Sequence, residues 1–397
     1  MGAGDRRAAS RIRTVEDARR GARRRVPRPV FDYIDGAAEA EVTMRANRAA
    51  LEAMRFVPRM AATEGAPGPD LTTTVLGTPL AFPVVLAPVG FTRAMHPEGD
   101  VAGARAAAAA GTVFTLSTMT GHTMGEVAAA STGAAPWFQL YPLGGRDRAE
   151  VLVDRARDAG FSGLVVTVDT QFPGNRERDL RHGVGMPLRL DARNALRFAP
   201  RVAGHPRWLL DAARDRFSFE LTNAQGLGTP ERPMSVDDAL VQWLFAPLRW
   251  EDLAVLRRRW DGALVVKGVL GAGDARRAVG CGADAVVVSN HGGRQLDGAP
   301  ASMPALAEVV AACGDEVEVL VDGGIRRGSD VVRALALGAR GVMVGRAWAY
   351  GLAAAGEPGV SAVLSILRAD VDRTLRLLGC PSVAALDRSF VRVPDGW

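Results

Sequence analysis

From position 83 onward the sequence repeats one pattern eight times: a short apolar, β-branched run, then an alanine- and arginine-rich stretch of helical character. A parallel sheet demands this alternation, because each strand needs a crossover to return the chain to its starting edge. The runs predicted as strands are 83–88, 112–117, 136–141, 164–169, 263–267, 284–289, 317–322 and 340–345. Val286-Val287-Val288 has no polar alternation, which suits a strand buried on both faces. Eight units favour a closed (β/α)8 TIM barrel over an open doubly wound sheet.

The rhythm breaks between Asp169 and Trp250, where about eighty residues with prolines and an Arg/Asp-rich stretch read as a long insertion after the fourth strand. The first sixty residues, with helical patterns over 14–25 and near 37–54, read as a pre-barrel helical layer. The expected organisation is one domain over 1–397: helices in 1–60, barrel in 61–380, and an insertion or lid in 170–249. Hydrophobic residues at 48% and charged residues at 23% support a large core.

The C-terminal strand ends of such a barrel carry its active site. Here they supply Pro88, Ser117, Gln139 with Tyr141, Thr167 with Asp169, Lys267, Asn290 with His291, Asp322-Gly323-Gly324, and Gly345-Arg346. Lys267 is the only lysine among 49 basic residues, and it joins one of five histidines and one of three tyrosines at this rim. The glycines in VDGGIRRGSD and VGR either merely end their strands or free backbone N–H groups to wrap an anion. Two such ends side by side, with Arg346, favour a phosphate-bearing cofactor. In SNHGGRQLD (289–297), His291 and Arg294 follow a buried strand, with Asp169 available from another. A histidine beside a carboxylate and a guanidinium suits a general base acting on an anionic substrate.

A formal charge of +5 raises the question of nucleic acid. The acidic residues are interspersed and no reading motif accompanies them, so no nucleic-acid partner is expected. Cys281, Cys313 and Cys380 lack CxxC spacing, which argues against zinc, disulfides and c-type haem and fits a reducing cytoplasm. No uninterrupted apolar stretch reaches ~18 residues, so no transmembrane segment is expected. The arginine-rich first 29 residues lack the apolar region of a secretory signal.

FDYIDGAAE (31–39), HPEG (96–99), WFQLY (137–141), TVDT (167–170), VVKG (265–268), SNHGGRQLD and VDGGIRRGSD span nearly the whole chain. Together they resemble the FMN-dependent 2-hydroxy-acid oxidase and dehydrogenase family, which includes glycolate oxidase, lactate oxidases and mandelate dehydrogenases. The resemblance implies oxidation of a small 2-hydroxy acid, with electrons passed from FMN to oxygen, a quinone or a carrier. It implies His291 as base and Asp169 as its partner. Arg294, Arg176 and Tyr33 would hold the substrate carboxylate, and Tyr141 the substrate oxygen. Lys267 would sit beside flavin N1 and C2=O, and Ser117, Gln139 and Thr167 at the ring edge. Ser289, Asp322, Gly323, Gly324, Arg326, Gly345 and Arg346 would serve the ribityl chain and phosphate. A homo-oligomer is implied on the same ground.

The chain departs from this pattern after the first strand. Pro88-Val89-Gly90 stands where the family often has Pro-Thr-Ala or Pro-Thr-Gly; the backbone can still reach flavin N5, but a threonine hydroxyl is lost. Met119 and His122 occupy the expected substrate wall, where glycolate oxidases carry a tryptophan; His122 is read as a surface or packing residue or as a contact to a polar substrate. His96 is expected to cap a helix or bond backbone, His182 and His205 receive no role, and Trp243, Phe245 and Trp250 are read as core. The N-terminal arginines are read as a solvated helix face. GHPRW (204–208) and FTRAMHPEG (91–99) resemble the mycofactocin-associated branch, which implies an alternative: the same flavin chemistry on a peptide-derived amine. A non-redox FMN protein is a further alternative.

Overall fold

The computed structural model describes residues 3–60, 68–142, 145–182, 202–215, 221–224, 227 and 248–397. Eight parallel strands form the ring: β1 (Val84–Leu86), β2 (Thr115–Ser117), β3 (Trp137–Leu140), β4 (Gly163–Thr167), β5 (Ala263–Val269), β6 (Ala285–Val288), β7 (Glu318–Val321) and β8 (Gly341–Val344). Neighbours pair in chain order from β2 to β8, β8 pairs with β1, and a parallel bridge from Leu86 to Phe114 closes the seam. The predicted strands are all present and differ only at their ends.

Both strand faces are apolar, as the unbroken valine runs require. Val85, Val165, Val265, Val287, Leu320, Met343 and Trp137 fill the interior, and Val75 and Leu80 of a hairpin (Thr73–Val75, Thr78–Leu80) join the same cluster. Leu116, Phe138, Val166, Val266, Val288 and Val321 belong to the larger cluster shared with the helices. Burying each such side chain contributes roughly 1.5–3 kcal/mol. Side chains alternate along a strand, so the residue two beyond an interior apolar position also points inward. After Trp137, Val165, Val265, Val287, Leu320 and Met343 those residues are Gln139, Thr167, Lys267, Ser289, Asp322 and Gly345. The apolar plug thus carries a polar ring on its C-terminal side.

The pre-barrel layer contains α1 (Ala3–Ala9), α2 (Val15–Arg25), α3 (Arg28–Asp35) and α4 (Val42–Ala53). Thr14 caps α2 by accepting from the Asp17 N–H. The α3 helix was obscured by Pro27 and Pro29, yet proline is tolerated in a helix's first turn, which is where Pro29 lies. The second predicted helix starts at Val42 rather than near 37. The intervening backbone is used elsewhere: Ala38 N–H donates to Gly293 O and Glu39 N–H to Asn175 O, and Glu41 adopts φ 62°. The N-terminal arginines are not simply a solvated face. Arg19 pairs with Asp35, and Arg25 bridges Asp5 and Asp211.

Helix Arg346–Leu378 is long and apolar enough to cross a membrane by composition, but 67% of its most apolar window is buried and it packs on α2. It kinks at Ala355 and Gly356. Within the insertion, Glu177–Arg181 and Pro206–Arg214 are helical. Trp243 and Phe245 lie outside the described residues.

Candidate active site

The polar ring is hydrogen-bonded around the barrel mouth. Ser117 Oγ donates to Gln139 Oε1 (3.1 Å), and Gln139 Nε2 donates to Thr167 Oγ1 (3.0 Å). Across the ring Lys267 Nζ lies 2.9 Å from Ser289 Oγ and 3.0 Å from Asp322 Oδ2. Burial disfavours the Lys267 ammonium, but Asp322 and Asp169 outweigh it and raise its pKa, so the group stays charged.

His291 follows β6 with φ 57°, a left-handed conformation uncommon outside glycine. Its N–H donates to Ser289 Oγ (3.0 Å), and its Nδ1 lies 3.0 Å from Asp169 Oδ1, beyond β4. The rest of SNHGGRQLD holds this loop in place. Gln295 Nε2 donates to the Asp169 and Phe172 carbonyls (2.9 and 2.8 Å), and the Asp297 carboxylate accepts from Val42 and Thr43 N–H at the start of α4. At Gly293 (φ 77°) a Cβ would stand 2.6 Å from Met44 N, so the close approach of α4 requires glycine.

Burial lowers the His291 pKa below the ordinary 6.5, against the opposing pull of Asp169, while Lys267 and Arg176 push it further down. Asp169 loses stability as an anion through burial, but His291 and Lys267 more than restore it. The pair therefore rests near neutrality as imidazole and carboxylate. The rate at limiting substrate is expected to rise with pH along an acid limb whose apparent pKa, a property of the pair, lies below 6.5. The sign for stability follows. As pH falls, the unfolded chain takes up this proton first, so the His291 contribution is complete above 6.5 and is lost as pH drops through the lower folded value. A pH profile of anaerobic flavin reduction checks this; a limb centred at about 7 or above contradicts it.

Arg294 Nη1 donates to Tyr33 O (2.7 Å) and Gly36 O (2.9 Å), and its guanidinium lies 4.9 Å from the Tyr33 ring centroid. Burial, then the charge of Arg176, lowers its pKa to about 9. Arg176 precedes helix Glu177–Arg181, and its buried Nε has no partner among the described residues. Tyr33 donates to Gly90 O (3.3 Å). Burial raises the pKa of both Tyr33 and Tyr141, keeping their hydroxyls as donors. Two guanidiniums and two phenols thus act on one another, and among the described residues the carboxylates that act on them are Asp169, already engaged by His291, and the partly buried Asp179, which burial pushes toward its neutral form. An external anion would relieve that charge.

Beyond β7 and β8 the surface suits a hydroxyl-bearing chain that ends in an anion, because a carboxylate oxygen accepts from hydroxyls and arginine and backbone N–H groups bind anions. Asp322 Oδ1 is buried without a partner among the described residues. Gly345, which precedes helix Arg346–Leu378, leaves the helix start without a side-chain cap, and a Cβ there would come no closer than 3.9 Å to Ala87. Arg326 sits over the Tyr350 ring at 5.5 Å with no ion pair among the described residues. Arg346 is placed differently from a free phosphate ligand: it donates to Ile34 O and Gly36 O at the end of α3 and to Gly292 O in the loop of His291, committing three of its five N–H groups. A flat ring with a polar edge and a phosphorylated tail, as in FMN, would fit these groups, with Lys267 available to hold the ring and Arg326 and the Gly345 backbone to hold the tail.

Pro88, Val89 and Gly90 follow β1, and Phe91 N–H donates to Met119 O, joining the first two loops. Met119 is buried. His122 is not a surface residue: its Nε2 is buried without a partner among the described residues. His96 Nδ1 accepts from Glu98 N–H (3.3 Å), the backbone role expected of it, and His182 bonds Asp32 (2.6 Å). The sequence reading missed the loop-holding residues Gln295 and Asp297. Their signal was their place within a dense polar motif.

A (β/α)8 barrel with a buried ammonium in a polar ring, beside a glycine-lined anion cradle, has the features of an enzyme that holds a phosphorylated ligand. Comparison with known proteins makes the assignment: the model of the FMN-dependent dehydrogenase family matches residues 22–393, and the chain belongs to that family of FMN oxidoreductases. It is 44% identical over 388 residues to the pre-mycofactocin synthase of Mycobacterium tuberculosis, covering 97% of this chain and 95% of that protein. It is 41% identical to the L-lactate oxidase of a Nostoc strain, covering 91% and 93%. The crystal structure of the monotopic membrane protein (S)-mandelate dehydrogenase superposes with TM-score 0.88 at 40% identity, covering 96% of this chain and 100% of that one.

Proposed function

We propose that the enzyme oxidises a small 2-hydroxy acid to the 2-oxo acid, with His291 as the base. The observation that carries this reading is the meeting of the His291–Asp169 pair with the facing Arg294 and Arg176 at one mouth. Similarity to lactate oxidases and mandelate dehydrogenases supports the substrate class.

With Nη1 committed to carbonyls, Arg294 offers Nη2 to the substrate carboxylate, and Arg176 and Tyr33 complete the grip. Tyr141 donates to the 2-oxygen. Asp169 engages Nδ1 of His291, which leaves Nε2 to take a substrate proton, and the carboxylate stabilises the imidazolium that results. Bound FMN would accept the substrate's electron pair and pass it to oxygen or another acceptor. Lys267 supplies a fixed cation where negative charge would gather on reduction. The two protons lost with the electron pair can leave in either order with the same residues.

Arg176→Leu is expected to raise KM about 10- to 150-fold, from loss of a charge-assisted contact of ~1.5–3 kcal/mol, with flavin content unchanged. Steady-state kinetics checks it, and an unaltered KM removes Arg176 from the carboxylate site. The overall reading is tested by product: a 2-oxo acid trapped as its arylhydrazone should appear one for one with acceptor reduced.

A second reading keeps the flavin chemistry and replaces the hydroxy acid by a peptide-derived amine. It is favoured by the 44% and 41% identity to pre-mycofactocin synthases. Absence of any trapped 2-oxo acid with glycolate, lactate and mandelate, together with reduction by such a peptide, would select it. The proposal includes a single domain over the whole chain, a cytoplasmic location consistent with three free cysteines, and a homo-oligomer.

A further inference from the structure

His291 occupies a left-handed backbone that a non-glycine residue keeps only when its surroundings hold it there. One such hold reaches the loop from outside the barrel. Asn47, on α4, and Asn290, next to His291, are both buried and exchange amide hydrogen bonds: Asn47 Nδ2 donates to Asn290 Oδ1 (2.9 Å) and Asn290 Nδ2 donates to Asn47 Oδ1 (2.8 Å). The orientation of both amides is fixed by backbone groups. Ser302 N–H donates to Asn47 Oδ1 (3.0 Å), Gly293 N–H donates to Asn290 Oδ1 (3.1 Å), and Asn290 Nδ2 also reaches Pro300 O (2.9 Å). Flipping either amide would set donors against donors.

Asn47 also lines the turn after β7. A Cβ at Gly323 would stand 3.1 Å from Asn47 Nδ2, and one at Gly324 would stand 3.1 Å from Asn47 O. The Asn47 side chain is thus bonded to the loop of the base and lies close to Gly323, while its backbone oxygen lies close to Gly324.

We propose that Asn47 is a positioning residue: through Asn290 it holds the His291 backbone in place and keeps that loop in register with the Gly323–Gly324 turn. It touches no reacting atom, and this role rests on the reading of His291 as base. Asn47 has no signal in a single sequence, because it lies on an otherwise ordinary helix outside every site motif.

The test uses holoprotein of wild type, Asn47→Ala, Asn290→Ala and the double variant, with Asn47→Asp as a partner of equal size should the alanine variant fail to fold. Displacement of a base by a fraction of an ångström suffices for a roughly 10- to 100-fold loss in limiting flavin reduction, with KM changed by less than about 3-fold. Residues acting as one clasp give a double variant no slower than the worse single one. FMN affinity, read by fluorescence quenching, is expected to weaken in Asn47→Ala. Unchanged reduction rates, or losses that multiply in the double variant, overturn the proposal.

A second readout is independent of turnover. The His291 imidazole, assigned in labelled holoprotein by its disappearance in His291→Gln, should titrate closer to an ordinary imidazole in Asn47→Ala than in wild type. If no 2-hydroxy acid reduces the wild-type flavin, the functional reading fails, while this titration still decides whether Asn47 holds the loop. An unmoved titration overturns the role of Asn47.

Discussion

Replacing His291 with glutamine is expected to slow substrate-driven flavin reduction by about 10²- to 10⁴-fold, the range a positioned general base contributes. Glutamine retains a polar group for Asp169 and removes the proton acceptor. FMN content should stay at the wild-type level, because the contacts among Lys267, Ser289 and Asp322 do not involve the imidazole. Stopped-flow reduction under anaerobic conditions measures the effect. A variant within a few-fold of wild type would remove His291 from the chemistry and shift attention to Tyr141.

Lys267→Met is expected to destabilise the fold by ~3–5 kcal/mol and to strip the protein of flavin. Breaking a buried ion pair from one side leaves a carboxylate with no compensating charge. Asp322 already has one oxygen without a partner among the described residues, so loss of the ammonium deprives the other of its cation as well. Chemical denaturation of the variant, with the flavin to protein absorbance ratio of the purified material, gives both quantities. Wild-type stability with full flavin loading would contradict the placement of Lys267 at the ring.

The barrel was legible because its strands are hydrophobic on both faces, a pattern that no half-exposed strand shares. Its active rim was legible because the polar residues follow the apolar interior at a spacing of two, as at Val265 and Lys267 or Leu320 and Asp322. Elements defined by tertiary contact were not legible. The α3 helix hid behind two prolines, and the segment from Ala37 to Glu41 looked helical although its backbone is committed to Gly293 and Asn175. Surface, packing and substrate-contact readings of His122 stayed open in the sequence because burial of a loop depends on what folds over it. Asn47 and Gln295 hold the base loop through partners distant in sequence, which no local pattern encodes. Arg346 shows the converse: its position at a strand end was legible, while its use as a tether for α3 depended on the path of the pre-barrel layer.

The most direct measurement is anaerobic titration of the yellow holoenzyme with single 2-hydroxy acids from glycolate through lactate to mandelate, following the flavin absorbance. At least one member of the series should bleach the flavin completely at one equivalent, and the same acid should fail to do so at a comparable rate in His291→Gln. A flavin that stays oxidised against the whole series, or one bleached equally fast without the imidazole, would contradict the account.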